Sequence, residues 1–168
     1  MAAKAADGAL LMFPTLNHVK EALSVIRDVV GKRGIPLDKF GVASYMVTVC
    51  SDDLEIALKE ARRVVAAYAA IPVYRRNFER LGYSREIGEV AQSLSEGFEV
   101  AAERVPDRMV KDFIVHGNAE ECAESIEKFV EAGVTEPVVY PYSSRREGYH
   151  AMLAGIIEAL GRLNAYSE

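Results

Sequence analysis

Apolar positions follow two rhythms along the chain. Ala9-Leu10-Leu11-Met12-Phe13 is a short unbroken apolar run before Pro14, the pattern of a strand covered on both faces. Leu16, Val19, Leu23, Ile26 and Val30 then recur at helical spacing. Thr15 or Asn17 can cap this helix, and Gly31, Gly34 and Pro36 stop it. Gly41 to Cys50 is a second strand, rich in β-formers (Val42, Tyr45, Val47, Thr48, Val49) that do not alternate cleanly with polar residues. Asp52-Asp53-Leu54-Glu55 opens a helix with Asp52 and Glu55 at capping-box spacing. Its expected inner stripe is Leu54, Leu58, Ala61, Val65 and Tyr68. Residues 71–104 read as further helix broken at Pro72 and Gly82, with Tyr74, Phe78, Leu81, Ile87, Val90, Leu94 and Phe98 as its apolar positions. A short amphipathic turn through Met109, Val110 and Phe113 follows Pro106. Asn118 caps another helix with Cys122, Ile126, Phe129 and Val130 inward, ended by Gly133. Residues 137–140 form the third strand, and Ser143 and Ser144 cap a last helix striped by Tyr149, Met152, Leu153, Ile156, Leu160 and Leu163.

Strands joined through helices imply an α/β fold with parallel pairing and right-handed crossovers. Three parallel strands are few for 168 residues, and such a sheet leaves edges that want partners. The expectation is self-association or completion by another chain. Lys and Arg number 20 against 25 Asp and Glu, a net charge of -5, which argues against a nucleic-acid partner. No stretch approaches the roughly 20 apolar residues of a membrane span. Residues 1–11 lack a signal-peptide layout, so the expected location is cytoplasmic. The two cysteines, Cys50 and Cys122, lie far apart in sequence without metal-ligand spacing and read as core thiols.

Three tracts together resemble a known family. The first is Ala6-Asp7-Gly8-Ala9-Leu10-Leu11 with His18-Val19-Lys20-Glu21-Ala22. The second runs from Tyr45 through Asp53 and on into Ala61-Arg62-Arg63 and Tyr74-Arg75-Arg76-Asn77-Phe78. The third is Gly117-Asn118-Ala119-Glu120-Glu121-Cys122, then Ala132-Gly133-Val134 and Glu136-Pro137-Val138-Val139. In order and spacing they resemble the C-terminal half of bacterial-luciferase-like monooxygenases. The branch they resemble most is the deazaflavin-dependent one, methylenetetrahydromethanopterin-reductase-like. The resemblance implies a partial (β/α)8 TIM barrel holding about the last three strands, with a helical insertion over residues 72–115 before the last strand. It implies one domain over residues 1–168, beginning about where the fifth barrel helix should end. The activity it implies is hydride transfer between a flavin or deazaflavin (FMN, or an 8-hydroxy-5-deazaflavin of the F-420 type) and a small organic substrate. The family places most flavin contacts and proton-handling residues on earlier strands, so no catalytic residue carries over. The alternative is a non-catalytic oligomeric interaction module derived from that family. As partner, the resemblance implies a second copy of this chain or a separate N-terminal half.

In a barrel the C-terminal strand ends carry the active site. Phe13, Tyr140 and Tyr142 fall at or just past such ends and could wall a flat aromatic cofactor; core packing is the competing reading. Ser143, Ser144 and Arg145 follow the last strand and open a helix, a place where barrels often hold phosphate; a simple serine cap competes. Tyr74-Arg75-Arg76 could face an acidic cofactor tail or be ordinary helix surface. Gly31-Lys32-Arg33-Gly34 follows a helix instead of opening one and reads as a stop. His18, His116 and His150 have no metal-pair spacing, and Ser51 beside Asp52 and Asp53 reads as a cap. Glu120, Glu121, Glu124 and Glu127 read as a solvated acidic face.

Overall fold

The computed structural model describes residues 1–143 and 149–165. A short helix α1 (Ala2–Ala5) leads into β1 (Gly8–Met12), α2 (Leu16–Lys32), β2 (Gly41–Cys50) and α3 (Leu54–Ala69). A block of short helices follows: α4 (Pro72–Phe78), α5 (Ser84–Ser93), α6 (Phe98–Glu103) and α7 (Asp107–Phe113). Then come β3 (Val115–Gly117), α8 (Ala119–Glu131), β4 (Glu136–Pro141) and α9 (Tyr149–Ala165).

Among the described residues all pairing is parallel and all of it runs through β2. β1 lies beside the first half of β2, from Gly8 against Gly41 to Met12 against Tyr45. β3 continues along the same edge, with Cys50 against Gly117. β4 takes the other edge, with Tyr45 against Val138 and Val47 against Tyr140. The α/β parallel sheet expected from the sequence is therefore present, with one strand more than the pattern revealed. Three residues with a histidine at the centre carry no readable period.

Alternate residues of β2 serve two cores, because successive strand side chains point to opposite faces. Val42 and Met46 pack with Val19, Leu23, Ile26 and Val30 of α2, Cys122 and Ile126 of α8, and Ile156 of α9. Val47 and Val49 pack with Val64 and Val65 of α3 and with Phe78, Ile87, Val90, Met109 and Phe113 of the helical block. That double covering explains the missing alternation in β2.

Local capping follows residue chemistry. Thr15, not Asn17, caps α2, accepting from the His18 amide at 3.2 Å. At α3 the cap is Asp53, one residue later than the spacing suggested; its carboxylate accepts from the Glu55 and Ile56 amides. Asn118 and Glu121 form a reciprocal capping box on α8. Over residues 71–104 the break expected at Gly82 is present (φ 93°), and a further one falls at Gly97 (φ 137°). Leu54 and Val130, assigned inward by spacing, are exposed, as is Phe98, over which the Arg63 guanidinium lies. Arg33, in the glycine-flanked stop, donates to the Ala3 and Ala6 carbonyls and ties α1 to the end of α2. No helix among the described residues is long and apolar enough to cross a membrane.

Candidate functional site

The sheet face that carries Tyr45 and Val47 is covered only toward the C-terminal strand ends. Nearer their starts it stands open. Register puts Leu10, Met12, Ala43, Tyr45, Val138 and Tyr140 on this face. Leu10 is 60% exposed, Val138 42% and Tyr140 45%. The opposite face is sealed by α2, α8 and α9. An apolar row this exposed is unusual for the interior side of a sheet.

At the strand ends the open face runs into a cluster of aromatic rings. The Tyr45 and Tyr140 rings stack with centroids 5.2 Å apart. Tyr68 and Tyr74 meet edge to face at 4.7 Å. Burial and the neighbouring Tyr68 and Tyr140 phenols push the Tyr45 hydroxyl up to about 12. Burial raises Tyr68 too, with Tyr74 and Tyr140 adding to it. These are neutral phenols across the physiological range, able to donate and accept hydrogen bonds.

Phe13 sits inside this cluster. It is 1% exposed and contacts Tyr68 at 4.6 Å, Phe78 at 5.7 Å, Tyr74 at 5.9 Å and Tyr45 at 6.4 Å. Its φ of 46° is the single positive value among described non-glycine residues. The chain turns out of β1 at that point, and the Asn77 amide holds the preceding Met12 carbonyl at 3.2 Å. Phe13 thus supports the wall from behind and presents no face of its own to a ligand.

A 380 Å³ cavity opens at the end of β2, lined by Cys50, Ser51, Asp52, Glu60, Tyr142 and Ser143 among others. Tyr142 is fixed by its amide, which donates to the Thr48 carbonyl at 2.8 Å. Glu60 brings a buried carboxylate oxygen, Oε2, with no hydrogen-bond partner. Its other oxygen lies 3.8 Å from Arg63, whose guanidinium also pairs with Glu99 and is held more firmly protonated by that contact. The cavity therefore offers an acceptor, hydroxyl groups and a thiol.

Of the expected site residues, Tyr140, Tyr142 and Ser143 lie around the strand ends, and Phe13 lies beneath them. Ser144 and Arg145 fall outside the described residues, as does Arg146; the Leu163 side chain is likewise not described. Arg75 pairs with Glu79 at 3.7 Å on α4. Sequence patterning put Tyr45 in a strand and Tyr68 on an inner helical stripe without linking either to the site, and it gave no sign of Glu60; all three join the site through strand and helix packing. Core packing, the competing reading, describes Phe13 and does not describe Tyr140.

The residues present fit a flat, largely aromatic group as one wall of its site. Tyr140 and Val138 offer apolar surface, and Tyr142 and Ser143 offer polar atoms beside it. They do not enclose such a group.

Comparison with known proteins accords with this partial enclosure. The 5,10-methylenetetrahydromethanopterin reductase of Methanopyrus kandleri is 29% identical over 140 residues, covering 82% of this chain but 40% of the relative. The structure of the coenzyme F420 dependent tetrahydromethanopterin reductase from Methanopyrus kandleri superposes with a TM-score of 0.74 at 24% identity, over 92% of this chain and 45% of that one. An F420-dependent secondary alcohol dehydrogenase in complex with an F420-acetone adduct gives 0.66 at 17% identity, over 95% and 44%. The chain thus spans less than half the length of the relatives it matches. Residues 1–136 match the model of the luciferase-like monooxygenases, and the chain belongs to that family.

Proposed function

We propose that this chain is the C-terminal part of a luciferase-like oxidoreductase, a partial (β/α)8 barrel whose intact form passes a hydride between a deazaflavin or FMN and a small organic substrate. The observation that carries the reading is the one-sided sheet. A closed barrel buries the face that here exposes Leu10, Val138 and Tyr140, and the family relatives are more than twice as long. β1, β2 and β4 correspond to the last three barrel strands, and the helices between Pro72 and Phe113 to the insertion.

The bound deazaflavin or flavin supplies the hydride chemistry. This chain supplies position and environment. Tyr140 and Val138 present an apolar wall to the ring. Tyr142 and Ser143, which line the adjoining cavity, would supply polar contacts to such a group. The neutral Tyr45 and Tyr68 phenols behind them exclude charge from the wall. The remaining walls come from a second copy of this chain or a separate N-terminal half.

A second reading rests on the same exposed row. The chain acts as an oligomeric interaction module without turnover, the open face being its contact surface. Native mass spectrometry of the chain, with and without added deazaflavin and FMN, separates the two. A stoichiometric cofactor adduct supports the oxidoreductase reading. A clean oligomer with no adduct replaces it with the interaction module.

A further inference from the structure

Cys50 closes β2, and Cys122 lies near the start of α8. The fold brings these distant residues together. The Cys122 thiol donates to the Gly117 carbonyl at 3.7 Å and to the Val49 carbonyl at 3.9 Å, across a separation of 73 residues. Gly117 is the register partner of Cys50, and Val49 is the residue before it. Both side chains belong to one apolar cluster, Cys50 packing against the core that holds Cys122. Both thiols are free.

The two differ in surroundings. Cys122 is fully buried, and the neighbouring Cys50 sulfur and its own burial push its thiol well up. Cys50 is half-buried and lines the 380 Å³ cavity, and the neighbouring Cys122 pulls its thiol down against burial and the nearby Asp52 and Glu120 carboxylates. An accessible, more acidic thiol backed by a buried one is the arrangement of an attacking and a resolving cysteine. Two core thiols kept only for packing need neither contact nor access.

We propose that Cys50 and Cys122 form a reversible dithiol–disulfide pair, closed by exchange with a small disulfide that enters the cavity at the end of β2. The Cys50 thiolate attacks one sulfur of that disulfide and expels the other as a thiolate, giving a mixed disulfide. Cys122 then attacks the Cys50 sulfur, releases the second small thiol, and gives up its proton to that leaving group. The protein dithiol loses two electrons, and the small disulfide becomes two thiols. The new bond pins the end of β2 to α8 and closes a loop around the whole helical insertion. This assignment is independent of the oxidoreductase reading, since it needs no flavin and no turnover.

The test is incubation of the intact chain with oxidised glutathione under native conditions, acid quench, alkylation and mass spectrometry. The expected result is loss of both free thiols, a mass lower by two hydrogens, and a peptide linking Cys50 to Cys122 within one chain, all reversed by dithiothreitol. Cys122→Ser is expected to retain one glutathione on Cys50. Cys50→Ser is expected to stay unmodified while folded. The proposal is overturned if both wild-type thiols stay free, if wild type holds glutathione on Cys50 without resolving it, or if the bond formed joins Cys50 residues of two chains. Should either serine variant fail to fold, the wild-type peptide map decides alone.

Discussion

Replacing Gly117 with alanine tests how β3 hands over to α8. Gly117 has φ of 135°, a backbone region that side chains rarely adopt, and its carbonyl accepts from the Ser51 amide at 2.9 Å. A Cβ placed there meets the Glu121 Cβ at 2.9 Å and its carboxylate closer still. Glu121 is half of the capping box on α8, accepting from the Asn118 amide at 2.9 Å. Two costs follow. Holding a non-glycine residue in such a conformation costs about 1–3 kcal/mol. Displacing Glu121 forfeits part of a cap worth about 1 kcal/mol. Gly117→Ala is expected to lose about 2–4 kcal/mol, read as a lower urea midpoint with unchanged slope. The double-mutant cycle with Glu121→Ala sharpens the test. Without the long side chain to displace, the alanine should cost about 1 kcal/mol less than in wild type. A single-mutant loss below about 1 kcal/mol refutes the strain argument. Strict additivity in the cycle refutes the collision.

Three further outcomes are expected. Phe13→Ala empties the centre of the aromatic cluster and should cost about 3–5 kcal/mol by denaturant titration, with any loss below about 1 kcal/mol contradicting its placement there. Burial, with Asp112 as hydrogen-bond partner, pushes Tyr83 up to about 12 from an unfolded value of 10.0. Folding then favours the neutral phenol, so its stabilisation is complete below about pH 10 and fades as pH climbs toward about 12. Tyr83→Phe should flatten the alkaline fall in urea midpoint, and an identical fall in wild type and variant argues against that coupling. Leu10→Ser combined with Val138→Ser polarises the open sheet face. If a second copy covers it, native mass spectrometry should show the oligomer shifting to monomer with unchanged circular dichroism; an oligomer that persists places the contact elsewhere.

Periodicity carried the fold where elements were long. β2, α2, α3 and α8 each had enough residues for apolar spacing and caps to agree. β3 escaped because its three residues offer no period, and its place is set by pairing with the end of β2. Leu54 and Val130 satisfied helical spacing yet face solvent, since both sit near helix ends where no neighbour arrives to cover them. The candidate site was legible only at a strand end, as with Tyr140 near the end of β4 and Tyr142 just past it. Cys50 and Cys122, or Tyr45 and Tyr68, meet because β2 lies between helices from distant parts of the chain. No local pattern records such a meeting.

Among the described residues β1, β3 and β4 pair only with β2, which makes that strand their keel. Thr135, just ahead of β4, exchanges hydrogen bonds with Val42 across 93 residues, most of them helical. Loop closure grows slowly with length, each doubling costing about 0.6 kcal/mol. The connection between the two partners can therefore change length at small entropic expense so long as its core-facing residues stay, while a single proline in mid-β2 would unship every strand at once. Damage to those ten residues therefore reaches both cores and every other strand together.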